Sequence, residues 1–321
     1  MVGLKGPLDR NRAATAPRSL VLNGWSRMSR RGVLLFAVMS ILWGIPYLFI
    51  RVAVLQMPPT VLVFGRSLLA ALILLPLAMR GAGLLPVLRR WRPLVAFAAI
   101  EIALPWYLIS DAEQRVPSSL AGLLLSAVPL AATLIAIGRG DREGLRPVAL
   151  AGLGLGSAGV AAIVGLDIRG SSLQAVLELL LTAVCYATGP VILARGLAEL
   201  PSSGVMGVSL GLSALVYAPL AALQWPHSLP SQAALSSIVV LALFCTALAF
   251  VAFSALIAEI GPVRATVITY VNPAVAAVVG VAVLRETLTF GMGLGFLLVL
   301  SGSVLATRRP AGRHAAVAEA H

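Results

Sequence analysis

The sequence predicts an all-α polytopic membrane protein in which ten transmembrane helices form two inverted five-helix repeats. Of its 321 residues, 59% are hydrophobic and only 11% are charged, a balance typical of membrane proteins. The apolar runs are about 20 residues long, the length of a helix that crosses a bilayer. They lack the alternation of barrel strands, and a helix satisfies every backbone amide internally, so helices are predicted.

An internal repeat supports the division into two units. Residues 261–309 repeat the pattern of residues 116–165 at an offset of about 143 residues. A shared helical period explains apolar matches, but not a proline, an Arg-Glu pair and two glycines in one register, so the pattern indicates a duplication. The matched positions are Ala121, Pro129, Arg142-Glu143, Leu145, Gly152 and Gly159 in the first copy, and Ala265, Pro273, Arg285-Glu286, Leu288, Gly295 and Gly302 in the second.

Length and the apolar runs place ten spans along the chain. Residues 1–31 are basic and lack an apolar face, so we expect a disordered cytoplasmic tail. The repeats are assigned to 32–166 and 167–308, and residues 309–321 to a C-terminal cytoplasmic tail. The predicted spans are 33–54, 59–79, 93–111, 117–138, 147–166, 172–193, 203–223, 233–257, 262–284 and 287–307.

The distribution of basic residues predicts the orientation. With the N-terminus inside, the tails and even-numbered loops hold 19 of the 24 Lys and Arg residues, and the outer loops hold four. Both termini are therefore expected on the cytoplasmic side of the cell membrane. Because each unit has five spans, an odd number, the second unit enters the membrane from the opposite side, as in many secondary transporters.

Several other classes of protein are disfavoured. The net charge of +12 does not indicate nucleic-acid binding, because the basic residues lie in tails and loops without interleaved aromatics. Cys185 and Cys245 lie inside spans, and the three histidines lack metal-ligand spacing, so no metal or cofactor is expected. The GxGxxG pattern at 154–159 lies inside a span with no preceding strand, which argues against a dinucleotide site. The chain shows no P-loop, which disfavours an ATP-driven pump.

Two segments resemble the EamA repeat of the drug/metabolite transporter superfamily. Residues 42–78 carry Trp43-Gly44 in the first span and Arg66 in the second, and residues 264–306 carry Pro273 and the Glu286 that follows the ninth span. The resemblance covers nearly all of residues 32–309, although the first copy of the Arg-Glu pair sits in a longer charged loop. It implies ten helices, two EamA units, an inner-membrane location and, usually, export of small metabolites, amino acids or toxic organic compounds.

Glu101 is the strongest candidate for a functional residue. A carboxylate inside a span costs of order 3 kcal/mol unless it is paired, protonated or hydrated. One hypothesis is that Glu101 recognises a cation or couples transport to protons, which would then be a coupling partner. The other is that Glu101 is a structural partner of Arg66 or a solvated group near the cytoplasmic face. Arg66, inside the second span, is expected to snorkel, to pair with an acid or to bind an anionic substrate.

Aromatic and polar residues near predicted helix breaks are further candidates for a substrate cavity. Ring faces and freed carbonyls there can receive an aromatic or cationic solute, but core or interfacial packing and repair of the interrupted backbone explain the same residues. The candidate substrate-binding residues are Trp43, Tyr47, Glu101, Trp106, Tyr107, Ser126, Tyr186, Tyr270 and Asn272, and the predicted breaks are Pro46, Pro105, Pro129, Pro190 and Pro273.

Glycines spaced four apart predict close helix packing. Gly152 with Gly156, and Gly291 with Gly295, allow the fifth and tenth spans to pack against neighbouring helices or against a second protomer in a homodimer.

The leading hypothesis is a secondary transporter that exports a small organic metabolite, such as an amino acid, by alternating access of the inverted halves. No catalytic set of residues is found, so an enzyme is not expected. A lipid-modifying membrane enzyme needs polar groups clustered at one interface, which the chain lacks. The other alternative is a membrane scaffold that transports nothing.

Overall fold

The computed structural model describes residues 29–81, 83–165 and 172–307, and these residues form helices without strands. Residues 1–28 of the N-terminal tail assigned to residues 1–31, and the whole C-terminal tail assigned to residues 309–321, lie outside this range. Nine helices are long and apolar enough to cross a membrane, and α9 is a shorter apolar helix of 17 residues. The helices are α1 Arg30–Val54, α2 Pro59–Met79, α3 Trp91–Ala112, α4 Ser118–Gly138, α5 Pro147–Gly165, α6 Leu173–Gly196, α7 Ser202–Leu223, α8 Gln232–Ile260, α9 Ile268–Leu284 and α10 Phe290–Thr307.

The helix ends differ from the predicted spans by a few residues, for local reasons. A short helix, Leu85–Arg89, precedes α3. A separate turn, Pro262–Ala265, precedes α9. At the other end of α9, Arg285 adopts a left-handed conformation with φ of 56°, which stops the helix and delays the start of α10 to Phe290. The expected start of the tenth span at residue 287 is therefore three residues too early.

Four helices change geometry along their length, and three of these changes lie beside predicted proline breaks. In α1, the helix is interrupted at Ile45, directly before Pro46. In α3, a π-helical segment, Ala98–Ala103, precedes Pro105. In α4, a 3₁₀ segment, Leu125–Ala127, precedes Pro129. In α8, a π-helical segment, Leu243–Leu248, has no proline beside it.

The expectation of a break is wrong at Pro190 and Pro273. Both prolines lie inside helices that continue on either side of them, α6 and α9. A proline removes one backbone hydrogen bond, but neighbouring helices hold the remaining turns in place, so a helix inside a membrane tolerates it.

Helices α5 and α10 cross in contact through glycines. A Cβ on Gly152 would meet the backbone of Gly302, and a Cβ on Gly159 would meet the backbone of Gly295. These contacts are reciprocal, because the repeat matches Gly152 to Gly295 and Gly159 to Gly302. Since the earlier glycine of α5 meets the later glycine of α10, the two helices run antiparallel. The predicted close packing of this glycine pattern thus occurs within one chain, with Gly156 at the same crossing and Gly291 buried in α10.

Helices α2 and α7, which also correspond in the repeat, pack in the same antiparallel manner. The Ser67 and Ser213 hydroxyls lie 3.2 Å apart, and a Cβ on Gly207 would meet the backbone at Leu74. The two halves therefore meet through matched helices. The central polar residues described next lie on α2 and on the third helix of each half, α3 and α8.

Candidate functional site

A buried arginine on α2 is at the centre of the candidate site. Arg66 is 7% exposed, and its guanidinium carbon lies 3.6 Å from the centroid of the Trp106 ring. Its Nε donates a hydrogen bond of 3.1 Å to the Thr246 hydroxyl. A guanidinium over the face of a tryptophan is a stabilising cation–π contact. Arg66 is therefore held inside the bundle and does not snorkel to an interface.

The π-helical segments place the two key polar residues. Thr246 lies in the segment of α8, and its hydroxyl donates to the Leu241 carbonyl, five residues earlier, at 2.8 Å. Glu101 lies in the segment of α3. Both residues are the fourth of a six-residue segment, and both segments lie in the third helix of a repeat. Isolated π turns are often found at functional sites because they redirect side chains.

Two predicted tyrosines lie near Arg66. Tyr47, two residues after the break in α1, and Tyr186 of α6 are both close enough to Arg66 for its charge to act on them. Tyr186 is also within electrostatic reach of Glu101. The structure thus gathers Tyr47, Trp106 and Tyr186 around Arg66, and Tyr186 lies near both Arg66 and Glu101.

Glu101 is not paired with Arg66. In the described part of the chain, its Oε2 is buried and accepts no hydrogen bond, and the salt bridges found there involve other residues. The carboxylate faces α6 at Gly189, where a Cβ would collide with it. A buried, unpartnered carboxylate oxygen within a membrane span is costly, so such a residue usually serves a ligand, a proton or a hydrated cavity.

A crevice of about 460 Å³ opens near the end of the bundle that carries the α3–α4 turn. Its size falls within the range of small-molecule pockets. Its lining includes Tyr107, Asp111, Gln114 and Gln224. Tyr107 stacks on Tyr217 with ring centroids 6.0 Å apart.

Four other predicted site residues lie elsewhere. Trp43 packs on Phe253, with ring centroids 4.7 Å apart. The Ser126 hydroxyl donates to the Leu123 carbonyl at 2.5 Å, so it serves the backbone. The Tyr270 hydroxyl lies 3.4 Å from that of Thr307. Asn272, also on α9, has a buried amide oxygen without a partner in the described residues.

Sequence reasoning missed several residues of the site. Thr246 could not have been found from the repeat, because the offset of about 143 residues aligns Glu101 with Phe244, and only the π segments place Thr246 in the equivalent position. Tyr217, whose hydroxyl donates to the Ala103 carbonyl of the π segment at 3.0 Å, has no distinguishing pattern. Ser209, which the 143-residue offset of the repeat aligns with Arg66, is fully buried, and its hydroxyl has no partner among the described residues.

These features define a class of protein: a helical membrane protein with a charged, aromatic-lined interior between two similar halves. The chain belongs to the EamA-like transporter family, whose model matches residues 30–165 and again residues 173–308.

Known proteins of similar sequence and structure agree with this assignment. The chain is 31% identical over 288 residues to YedA, an uncharacterized inner membrane transporter of Escherichia coli strain K12, covering 85% of this chain and 89% of that protein. It is 23% identical over 297 residues to YvbV, an uncharacterized transporter of Bacillus subtilis, covering 89% of this chain and 94% of that protein. A solved crystal structure with 23% identity superposes with a TM-score of 0.61 over 86% of this chain and 96% of that one, so the two share a fold.

Proposed function

We propose that this protein is a secondary transporter that exports a small organic metabolite, with amino acids as the leading substrate class. The observation that carries the proposal is the pair of opposite charges in the interior, Arg66 and Glu101, which are not paired with each other. A zwitterion satisfies both, because Arg66 can bind its carboxylate and Glu101 its ammonium group. Tyr186, which lies within reach of both charges, contacts the body of the solute.

The aromatic residues around Arg66 set the shape of the solute. The Trp106 face already stacks on the guanidinium, and Tyr47 and Tyr186 add ring surface near it. A site with two fixed charges and aromatic walls favours an amphipathic molecule over a purely apolar one. This composition supports a solute with an apolar side chain over an inorganic ion.

Alternating access of two inverted repeats is the proposed mechanism. The reciprocal contacts Gly152–Gly302 and Gly159–Gly295 support it, because corresponding helices of opposite direction are what an inverted pair requires. The antiparallel packing of α2 and α7 supports the same arrangement. In this mechanism the halves exchange conformations, and the Arg66 centre opens to one side of the membrane at a time.

The inner membrane is the proposed location, with both termini in the cytoplasm. YedA, which is 31% identical, is described as an inner membrane transporter. The excess of basic residues in the tails and even-numbered loops favours the cytoplasmic placement of both termini. With this orientation, the crevice beside Tyr107 opens to the outside.

An export screen tests the proposal. Cells that overproduce the protein are challenged with a panel of amino acids and toxic amino-acid analogues, and efflux of any protected compound is then measured in everted membrane vesicles. We expect at least one zwitterionic compound to be exported by the wild type and export to be lost in Glu101→Gln. The matched control is Glu199→Gln, which removes an exposed carboxylate in the α6–α7 turn and is expected to leave export unchanged.

Two outcomes contradict the proposal. The first is an absence of transport for the whole panel by protein that is folded and membrane-inserted. The second is transport of zwitterions that Glu101→Gln and Glu199→Gln leave equally intact, because the ammonium group then does not bind at Glu101.

A further inference from the structure

A second buried carboxylate lies outside the centre described above. Glu113 directly follows α3 and is 0% exposed. Both of its carboxylate oxygens are buried and lack a hydrogen-bond partner among the described residues. A carboxylate that is fully removed from water without a partner is strongly destabilising unless it is neutralised. The residue therefore requires an explanation that packing does not supply.

The basic side chains around Glu113 donate to acceptors other than its carboxylate. Arg51 donates to the backbone carbonyl of Glu113 and not to its carboxylate. Arg115 is engaged by Asp111 at 2.5 Å and by Glu178 at 2.6 Å. The charged neighbours thus leave the Glu113 carboxylate without a direct cationic partner.

A second carboxylate from the other half lies nearby and is itself satisfied. The two oxygens of Glu286, in the α9–α10 turn, each accept a hydrogen bond of 2.8 Å, one from the amide of Ser118 and one from that of Ser119. These amides begin α4, where the helix dipole favours a negative charge. Glu286 therefore has a hydrogen-bond donor for each carboxylate oxygen, and it lies within electrostatic reach of Glu113.

Burial dominates the electrostatics of Glu113. Removal from water raises the pKa of Glu113 well above its usual range, the charge of Glu286 raises it further, and Arg51 opposes both effects only in part. The neutral acid is therefore the form favoured in this conformation.

We propose that Glu113 is a proton-binding site and that its occupancy is coupled to solute binding at Arg66 through Tyr47. Tyr47 lies within electrostatic reach of both Glu113 and Arg66 and directly follows the interruption of α1 at Ile45. The coupling part of this inference rests on the proposed transport function. The protonation of Glu113 does not.

The proton cycle follows from the burial of the site. A proton from the aqueous phase adds to one carboxylate oxygen of Glu113 and gives the neutral acid, the form favoured where the side chain is fully buried. Its release leaves a carboxylate that must be hydrated, so the turn between α3 and α4 has to open. The hydroxyls of Ser118 and Ser119 are buried and have no hydrogen-bond partner within the described part of the chain. Both residues are in the first turn of α4 and would be exposed by the same opening.

A proton fits this site better than a metal ion. The described residues contain no group of three or more His, Cys, Asp or Glu side chains placed to hold a metal. The guanidinium of Arg51 lies beside the site and opposes a second fixed cation. A proton needs no additional volume in a position that is fully enclosed.

Infrared spectroscopy of the protein in lipid vesicles tests the protonation. Spectra of wild type and Glu113→Gln are recorded across a pH titration, with Glu199→Gln as the control for loss of an exposed carboxylate. At pH 7 the wild-type minus Glu113→Gln difference is expected to contain the carbonyl band of a protonated carboxyl group, which converts to carboxylate bands at alkaline pH. Glu113→Asp, in which the band should shift in frequency, gives the same comparison if the glutamine variant does not fold. Carboxylate bands from Glu113 at pH 7 would overturn the proposal.

Transport assays test the coupling. With a solute found in the export screen, wild-type proteoliposomes should respond to an imposed pH gradient, whereas Glu113→Gln should exchange the solute with a loss of that response. An unchanged response in Glu113→Gln overturns the coupling but leaves the transport function standing. If no solute is transported, the proposed function fails, and the infrared result still decides the protonation of Glu113.

Discussion

The third helices of the two repeats, α3 and α8, share a backbone plan but differ in charge. Both contain a six-residue π segment, and the fourth residue is Glu101 in one and Thr246 in the other. Thr246 is satisfied, because it accepts from Arg66 and donates to Leu241. Glu101 has a buried oxygen without a partner in the described residues.

The ends of these helices differ in the same direction. Glu113, after α3, is buried, and its carboxylate has no hydrogen-bond partner in the residues that the structure describes. Glu259, near the end of α8, is exposed and accepts a hydrogen bond of 2.5 Å from Ser29, the residue that caps α1. The third helices of the two repeats therefore have similar backbones, but the buried carboxylates that lack a partner among the described residues, those of Glu101 and Glu113, belong to the first half. In our proposal, the second half orients Arg66 and the first half binds the ammonium group and the proton.

Replacement of Arg66 by methionine is expected to have the largest effect on transport. Loss of a buried charge that binds a solute carboxylate costs on the order of 3 kcal/mol, so export should fall about 100-fold. Thermal stability should change little, because an apolar side chain of similar size often replaces a buried charge without loss. Export in everted vesicles and melting of the purified protein measure the two effects.

Thr246→Val is the matched control for Arg66. It removes the hydrogen bond but leaves the guanidinium on Trp106, so the expected loss is about 1 kcal/mol, or roughly fivefold in export. Equal effects of the two variants would mean that Arg66 acts only through Thr246. Full activity of Arg66→Met would remove Arg66 from the substrate site.

Glu101→Thr makes the two π segments alike and should separate stability from function. Removing a buried, unsatisfied carboxylate is expected to raise the stability of the protein by about 1–3 kcal/mol. Export of zwitterions should nevertheless fall at least tenfold, because their ammonium group loses its partner. Melting of the purified protein measures the stability, and efflux from everted vesicles measures the export, each in comparison with Glu199→Gln. A destabilised Glu101→Thr protein would show that the carboxylate has a structural partner.

The pH dependence of stability distinguishes Glu113 from the exposed Glu259. Because the pKa of Glu113 is raised in the folded protein, folding takes up a proton, and the stabilisation is fully present below the unfolded pKa of about 4.3. As the pH rises towards the folded pKa, wild type should lose up to about 1.4 kcal/mol per pH unit relative to Glu113→Gln.

Melting curves of both proteins between acid and alkaline pH measure this difference. Glu259→Gln, in the other half, is measured over the same range as the control for removal of an exposed carboxylate. A constant difference between wild type and Glu113→Gln would indicate that Glu113 is equally easy to protonate in the folded and unfolded protein.

Much of the fold could be predicted from the sequence, because apolar length and glycine spacing directly reflect the requirements of the bilayer and of close helix contact. The positions of the helices and the close packing of α5 and α10 at their glycines follow from such patterns. The π segment of α8 has no proline signal, and nothing in the sequence distinguishes Glu113 from a solvated acid at a helix end. Trp43 and Tyr186 lie 143 residues apart, the offset of the repeat, but the structure does not bring them into one site, because Trp43 packs on Phe250 and Phe253.

The smallest expected effect concerns Gly189, which allows Glu101 to lie against α6. A Cβ at this position would collide with the Glu101 carboxylate, so Gly189→Ala should cost about 1 kcal/mol of stability. In the Glu101→Thr background the collision is gone, and the same change should stabilise α6 by about 0.5–1 kcal/mol, as expected for alanine in place of a helical glycine. Gly154→Ala in α5, where a Cβ meets nothing within 4 Å, should stabilise the protein in both backgrounds. If Gly189→Ala has the same effect with and without the Glu101 carboxylate, the carboxylate does not lie against α6. Glu101 would then not be placed to bind an ammonium group near Tyr186.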